Sequence, residues 1–123
     1  MKFEEKKNFR PKRIGWQRFE TASLTQKRQL VAANPKYGHI VCRCEQVAAA
    51  EIMEAVARGA DTMDAVKHVT RAGMGRCQGG FCTIPVLNYL ADDRGLAPSE
   101  ITKKGSGSHQ ICPKLKSSQK EKA

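Results

Sequence analysis

The chain reads as a small all-α unit of short helices with extended basic arms at both ends. Three observations lead there. Apolar residues recur at helical spacing in short segments closed by glycine or by Asn-Pro. Four of the five cysteines form two close pairs, Cys42-Arg43-Cys44 and Cys77-x4-Cys82, the second set among glycines. The 123 residues, 40% apolar and only 6% aromatic, suffice for one small core.

Taken in order, Ser23 is placed to cap a helix over residues 24–33, with Leu30 and Val31 expected to face the core and Asn34-Pro35 ending it. Residues 48–58 carry Ile52, Ala55 and Val56 at helical spacing, and Gly59 follows as the residue that ends the helix. Asp61 or Thr62 can cap a short helix bearing Met63, Val66 and Val69. A glycine-rich loop covers residues 72–82. Residues 83–93 then read as a helix, with Pro85 tolerated in its first turn and Val86, Leu87 and Leu90 buried. Pro98-Ser99-Glu100 begins a last helical turn that should run to Lys104-Gly105. No segment reads convincingly as a strand.

Charge divides the chain into three parts. Residues 1–39 hold ten basic and three acidic side chains (+7), and residues 109–123 hold four and one (+3), which together account for the net +10. Residues 40–108 have eight of each sign and are neutral. The expected organisation is a basic, partner-binding arm with one short helix (1–39), a cofactor-binding domain (40–108) and a disordered basic tail (109–123). A nucleic-acid binder would gather positive charge on a face of the domain, which is not evident here. In a helix-turn-helix reading, only Lys67 and His68 are candidates for reading bases. The longest uncharged stretch, residues 77–91, contains Gly-Gly and a proline and is shorter than the roughly 18–20 apolar residues of a membrane span. The first residues lack the apolar centre of a secretory signal, so a cytoplasmic location with reduced thiols is expected.

Five cysteines do not make a disulfide framework without one left over, whereas four metal ligands and a spare is a natural count. Glycines around the second pair permit left-handed backbone and let N–H groups turn inward, which suits anionic sulfur. Both pairs precede an expected helix start, where unpaired amides and the helix dipole favour negative charge. Arg43 and Arg76, each beside a cysteine, add charge of the right sign. Spacing favours an iron–sulfur cluster over zinc, because C-x-C is less usual in structural zinc sites, but zinc and plain thiols stay open. Gly73-x-Gly75-x3-Gly79 misses the dinucleotide-binding register, and no Gly-Lys-Ser/Thr marks a phosphate loop.

Residues 41–45 (VCRCE) and 70–82 (TRAGMGRCQGGFC) resemble the [2Fe-2S]-binding domain of the bacterioferritin-associated ferredoxin-like family. They are most similar to the version at the C-terminus of FAD-dependent glycerol-3-phosphate dehydrogenases and related amine or hydroxy-acid dehydrogenases. The likeness extends over about residues 34–108 and implies a small helix-turn-helix cluster-binding domain with the metal site in loops at one end. It implies that Cys42, Cys44, Cys77 and Cys82 ligate the cluster, with Arg43, Arg76, Gln78, Gly79 and Gly80 around them. It also implies an electron-transfer protein, not catalytic by itself, that works in a hetero-oligomer with a FAD-dependent dehydrogenase subunit. FAD would reside only in that partner, since no G-x-G-x-x-G unit lies within these 123 residues. An alternative of a different class is a cluster, or a zinc ion, that is structural and organises an assembly surface in a multi-subunit oxidoreductase. Two positions depart from the family's pattern. Ala48 stands where a capping hydroxyl is common, a loss of roughly 1 kcal/mol, and Thr83 stands where a glycine often follows the last cysteine.

His39 and His68 are expected to be ordinary surface or core-edge residues rather than ligands, and Met63 and Met74 packing residues. Cys112 reads as a free thiol. Phe9, Trp16 and Phe19, all in the basic N-terminal arm, are expected to be buried against either the domain or a larger partner.

Overall fold

The computed structural model describes residues 18–111. Cys112, Phe9, Trp16 and the expected tail beyond residue 111 lie outside the described residues. Within them the chain forms a small, mostly helical domain of four helices with a short two-stranded hairpin: α1 (Leu24–Ala33), β1 (Ile40–Cys42), β2 (Val47–Ala48), α2 (Ala49–Ala57), α3 (Met63–Thr70) and α4 (Thr83–Arg94).

Ser23 caps α1 as its side chain promises: the Gln26 N–H donates to Ser23 Oγ (3.3 Å), and Gln26 Oε1 accepts from the Ser23 N–H (2.9 Å). The expected core face of this helix is absent, however. No α1 residue is buried and Val31 is 36% exposed, because α1 rests mainly on the single 3-10 turn Pro35–Gly38 that follows it. Phe19 stacks on Tyr37 (centroids 6.0 Å apart) beneath Lys27, and its N–H donates to Glu51 Oε1 (3.1 Å).

The hairpin corrects the expectation of no strand. Ile40 pairs with Ala48 and Cys42 with Val47, antiparallel and with an irregularity between Ile40 and Cys42. Strands of three and two residues are too short for alternation to announce them. From β2 the chain runs directly into α2, whose buried face carries Ile52, Ala55 and Val56 as expected. Ala48 gives no side-chain cap; instead its N–H donates to Glu51 Oε2 (2.7 Å). Glu51, 3% exposed, thus ties both the helix start and Phe19 to the domain.

Thr62 caps α3, accepting from the Ala65 N–H (3.2 Å). Two more N–H groups of its first turn, Met63 and Asp64, donate to the carbonyls of Thr102 and Lys103 (3.1 and 2.8 Å), so the C-terminal segment completes that helix end. Met63 and Val66 are buried, but Val69 is 45% exposed and Thr70 is buried in its place. Thr70 tolerates burial because its hydroxyl donates to the Val66 carbonyl (2.8 Å) and accepts from the Ala72 N–H (3.1 Å). In α4, Val86, Leu87 and Leu90 close the core, together with Ile101. The last helical turn is shorter than expected: Pro98–Glu100 is a single 3-10 turn that stops at Ile101, which turns inward. Helices α2, α3 and α4 pack on one another, and the hairpin and the α3–α4 loop meet at one end of this bundle.

Candidate metal centre

Cys42 ends β1 with its side chain inward and is 2% exposed, whereas Cys44 lies exposed in the turn of residues 43–46. The glycine loop, residues 71–82, folds into overlapping turns. Met74 N–H donates to Arg71 O (3.0 Å), Gln78 N–H to Gly75 O (2.9 Å), Gly80 N–H to Cys77 O (3.0 Å) and Thr83 N–H to Gly79 O (3.1 Å). Two consecutive left-handed residues, Gln78 (φ 49°) and Gly79 (φ 85°), reverse the chain so that the N–H groups of Gly79, Gly80 and Phe81 reach the Cys77 sulfur. Gln78 Nε2 also donates to Gly75 O (2.9 Å), bracing the turn. Cys82, 2% exposed, stands at the N-cap of α4.

Folding draws the four thiols into pairs that cross the two motifs: Cys44 hydrogen bonds with Cys77, and Cys42 with Cys82. Contact between hairpin and loop is so close that it requires a glycine. A Cβ on buried Gly75 would lie 2.1 Å from Cys44 Cβ and 3.2 Å from its Sγ.

Electrostatics split the pairs. The Cys77 thiol is held below the usual range by its hydrogen bond with Cys44, then by the amides of Gly79, Phe81 and Gly80. The Cys82 thiol is pushed up to about 11, first by burial and then by neighbouring Cys42. Four thiolates this close repel one another, and cations among them would hold all four ionised. The donor set is soft sulfur, inward amides offer N–H···S bonds, and the thiols stand two by two. These features fit an iron–sulfur cluster, which Cys42, Cys44, Cys77 and Cys82 would hold through their thiolates.

Arg43 and Arg76 are both exposed. His39 and His68 are exposed, and the Nδ1 of His68 lies 2.6 Å from the Asp64 carbonyl of its own helix. Met63 is buried and Met74 half-buried. Thr83 donates from Oγ1 to Gly79 O (2.6 Å) and so helps fix the loop. Three residues escaped sequence reasoning. The contact of Gly75 with Cys44 and the reach of the Phe81 amide to Cys77 have no local signal. Glu51, three residues after the helix cap, carried one in the form of a capping-box position.

No solved structure matches the chain significantly. Glycerol 3-phosphate dehydrogenase of Caloramator mitchellensis is 44% identical over 118 residues, covering 94% of this chain and 25% of the relative. An opine oxidase subunit of Rhizobium meliloti is 35% identical over 72 residues (58% and 13%), and a hydrogen cyanide synthase subunit of Pseudomonas aeruginosa is 46% identical over 53 (43% and 11%). The chain therefore spans a quarter or less of the length of these relatives. The BFD-like [2Fe-2S] binding domain matches residues 40–92, the stretch that contains the hairpin, both thiol pairs and most of α4. Residues 40–92 thus form a BFD-like [2Fe-2S] binding domain.

Proposed function

We propose that the chain is the [2Fe-2S] electron-transfer part of a FAD-dependent dehydrogenase acting on glycerol 3-phosphate, an amino acid or a hydroxy acid, within a hetero-oligomer in the cytoplasm. Cys42, Cys44, Cys77 and Cys82 would hold the two irons. The observation that carries the reading is the cross-motif pairing of these thiols in a stretch that matches the family. Similarity over 118 residues to a glycerol 3-phosphate dehydrogenase supports the choice of partner.

When bound, such a cluster supplies a one-electron couple that lets a two-electron flavin be emptied in single steps. The chain's own residues set the conditions. Inward amides of Gly79, Gly80 and Phe81 stabilise negative charge at Cys77 sulfur. Burial of Cys42 and Cys82 keeps water from one side, while exposed Cys44 leaves the other side open to a partner. Exposed Arg43 and Arg76 offset the anionic centre, since two ferric ions, two sulfides and four thiolates sum to about −2.

Anaerobic reconstitution with iron and sulfide, followed by metal analysis and EPR, tests the proposal. About two irons and two sulfides per chain and a rhombic S = 1/2 signal after dithionite are expected. A colourless, zinc-loaded chain would refute it. The partner is tested by co-purification: a FAD-containing chain should accompany this one, and its substrate should bleach the cluster's absorbance.

A further inference from the structure

The two thiol pairs sit in different environments. Cys42 and Cys82 are each 2% exposed, walled in by the hairpin and the start of α4. Cys44 is exposed and Cys77 is half-buried, at the outer edge of the same site. Three backbone amides, those of Gly79, Gly80 and Phe81, converge on the Cys77 sulfur. They are fixed there by the overlapping turns of the glycine loop and by Thr83 Oγ1, which donates to Gly79 O (2.6 Å).

We infer that Cys44 and Cys77 hold the iron that takes up the electron, and Cys42 and Cys82 the iron that stays ferric, so that electrons enter and leave at the hairpin-turn end. This rests on the reading of the four cysteines as [2Fe-2S] ligands. In the step, one electron passes from a reduced flavin to the ferric ion at Cys44–Cys77, which becomes ferrous. No bond breaks and no proton is required. Added negative charge settles where oriented dipoles and water already stabilise it. Both lie at the Cys44–Cys77 end, where Cys44 is exposed and the amides of the glycine loop face the Cys77 sulfur.

The opposite preference has one argument in its favour. A cleft of about 240 Å³ opens beside Cys82, and Lys67 and Lys103 line it. Asp64 lines the same cleft and offsets one of them, and no ion pair fixes either ammonium in place among the described residues. Ammonium groups that line an open cleft are screened by solvent, whereas amides hydrogen-bonded to the sulfur are not. Contact therefore outweighs the more distant lysines.

Proton NMR of the reconstituted, dithionite-reduced chain tests the inference. Cysteine β-protons on the ferric iron of a coupled pair lie far downfield and move back toward the diamagnetic range on warming, and those on the ferrous iron show the opposite dependence. Contact between Gly75 and Cys44 provides an assignment through the Gly75 α-protons. Ferrous behaviour at Cys44 and Cys77 is expected. Ferrous behaviour at Cys42 and Cys82, or four equivalent ligands, overturns the inference while leaving the cluster reading intact. Absence of both shifted resonances and an EPR signal overturns the cluster reading itself. Serine variants give a second measurement: oxygen ligation favours ferric iron, so Cys44→Ser should lower the reduction potential more than Cys42→Ser. The reverse order overturns the inference. If Cys42→Ser fails to assemble, the unsubstituted chain still decides by NMR.

Discussion

Replacing Gly75 with alanine strikes at the contact on which the whole site depends. Its new Cβ would lie 2.1 Å from Cys44 Cβ, where ordinary contact begins at 3.4 Å, so the hairpin turn and the glycine loop must separate by about 1.3 Å. The atom chiefly in the way is the Cβ of Cys44, fixed by the backbone rather than the far end of a flexible side chain. Metal ligation tolerates departures of about 0.2 Å, so the separation is several times what a shared site absorbs. Overpacking of this kind costs about 1–3 kcal/mol; a loss near 2 kcal/mol would lower the melting temperature of a domain this size by roughly 8–16 °C. Iron and sulfide retained after anaerobic reconstitution, visible absorbance and thermal melting are the assays. Gly73→Ala is the control: at φ +90° it is strained by about 1 kcal/mol, yet its Cβ meets nothing within 4 Å, so the cluster should survive. A Gly75→Ala chain with its full iron content and an unchanged spectrum would refute the packing argument.

Glu51→Ala removes the acceptor of both the Ala48 and the Phe19 N–H, and should cost about 2–3 kcal/mol in urea unfolding. Glu51→Gln, which keeps one acceptor oxygen, should lose less, and an alanine variant as stable as the parent would contradict this. In the metal-free chain, iodoacetamide should modify Cys77 well before Cys82. With its thiol at about 11, Cys82 is only about 0.1% thiolate at pH 8, while Cys77 is depressed and half-buried. Since the thiolate is the reactive form, raising the pH should speed Cys82 more than Cys77; equal rates by peptide mass spectrometry would be the contrary result. Phe81→Ser should leave unfolding within about 0.5 kcal/mol of the parent, because the ring is 81% exposed and only its backbone serves the site.

Helix starts were legible because their causes are local. Ser23 and Thr62 cap as their positions suggest, and Val86, Leu87 and Leu90 form a buried set that periodicity reveals. Periodicity names an apolar face but not what covers it. Leu30 and Val31 illustrate the limit, since α1 finds no second helix to bury them. At the end of α3, Thr70 displaces Val69 from the core by satisfying its hydroxyl within the helix and the turn that follows. The hairpin was illegible because five strand residues contain too little alternation, and it is held by packing of β2 on α2 and on the 3-10 turn before β1.

The chemistry of the site was present in composition and spacing alone: four soft donors in two close pairs, glycines that free the backbone between them, and a central segment of zero net charge. Those are properties of residue type and near neighbours, which the chain carries before it folds. Which thiol meets which was decided only in three dimensions. Cys42 joins Cys82 and Cys44 joins Cys77 across thirty to forty positions of sequence, because the packing of α2, α3 and α4 brings the hairpin and the glycine loop to the same end. The same packing buries one pair and leaves the other at the surface, an inequality that no spacing encodes.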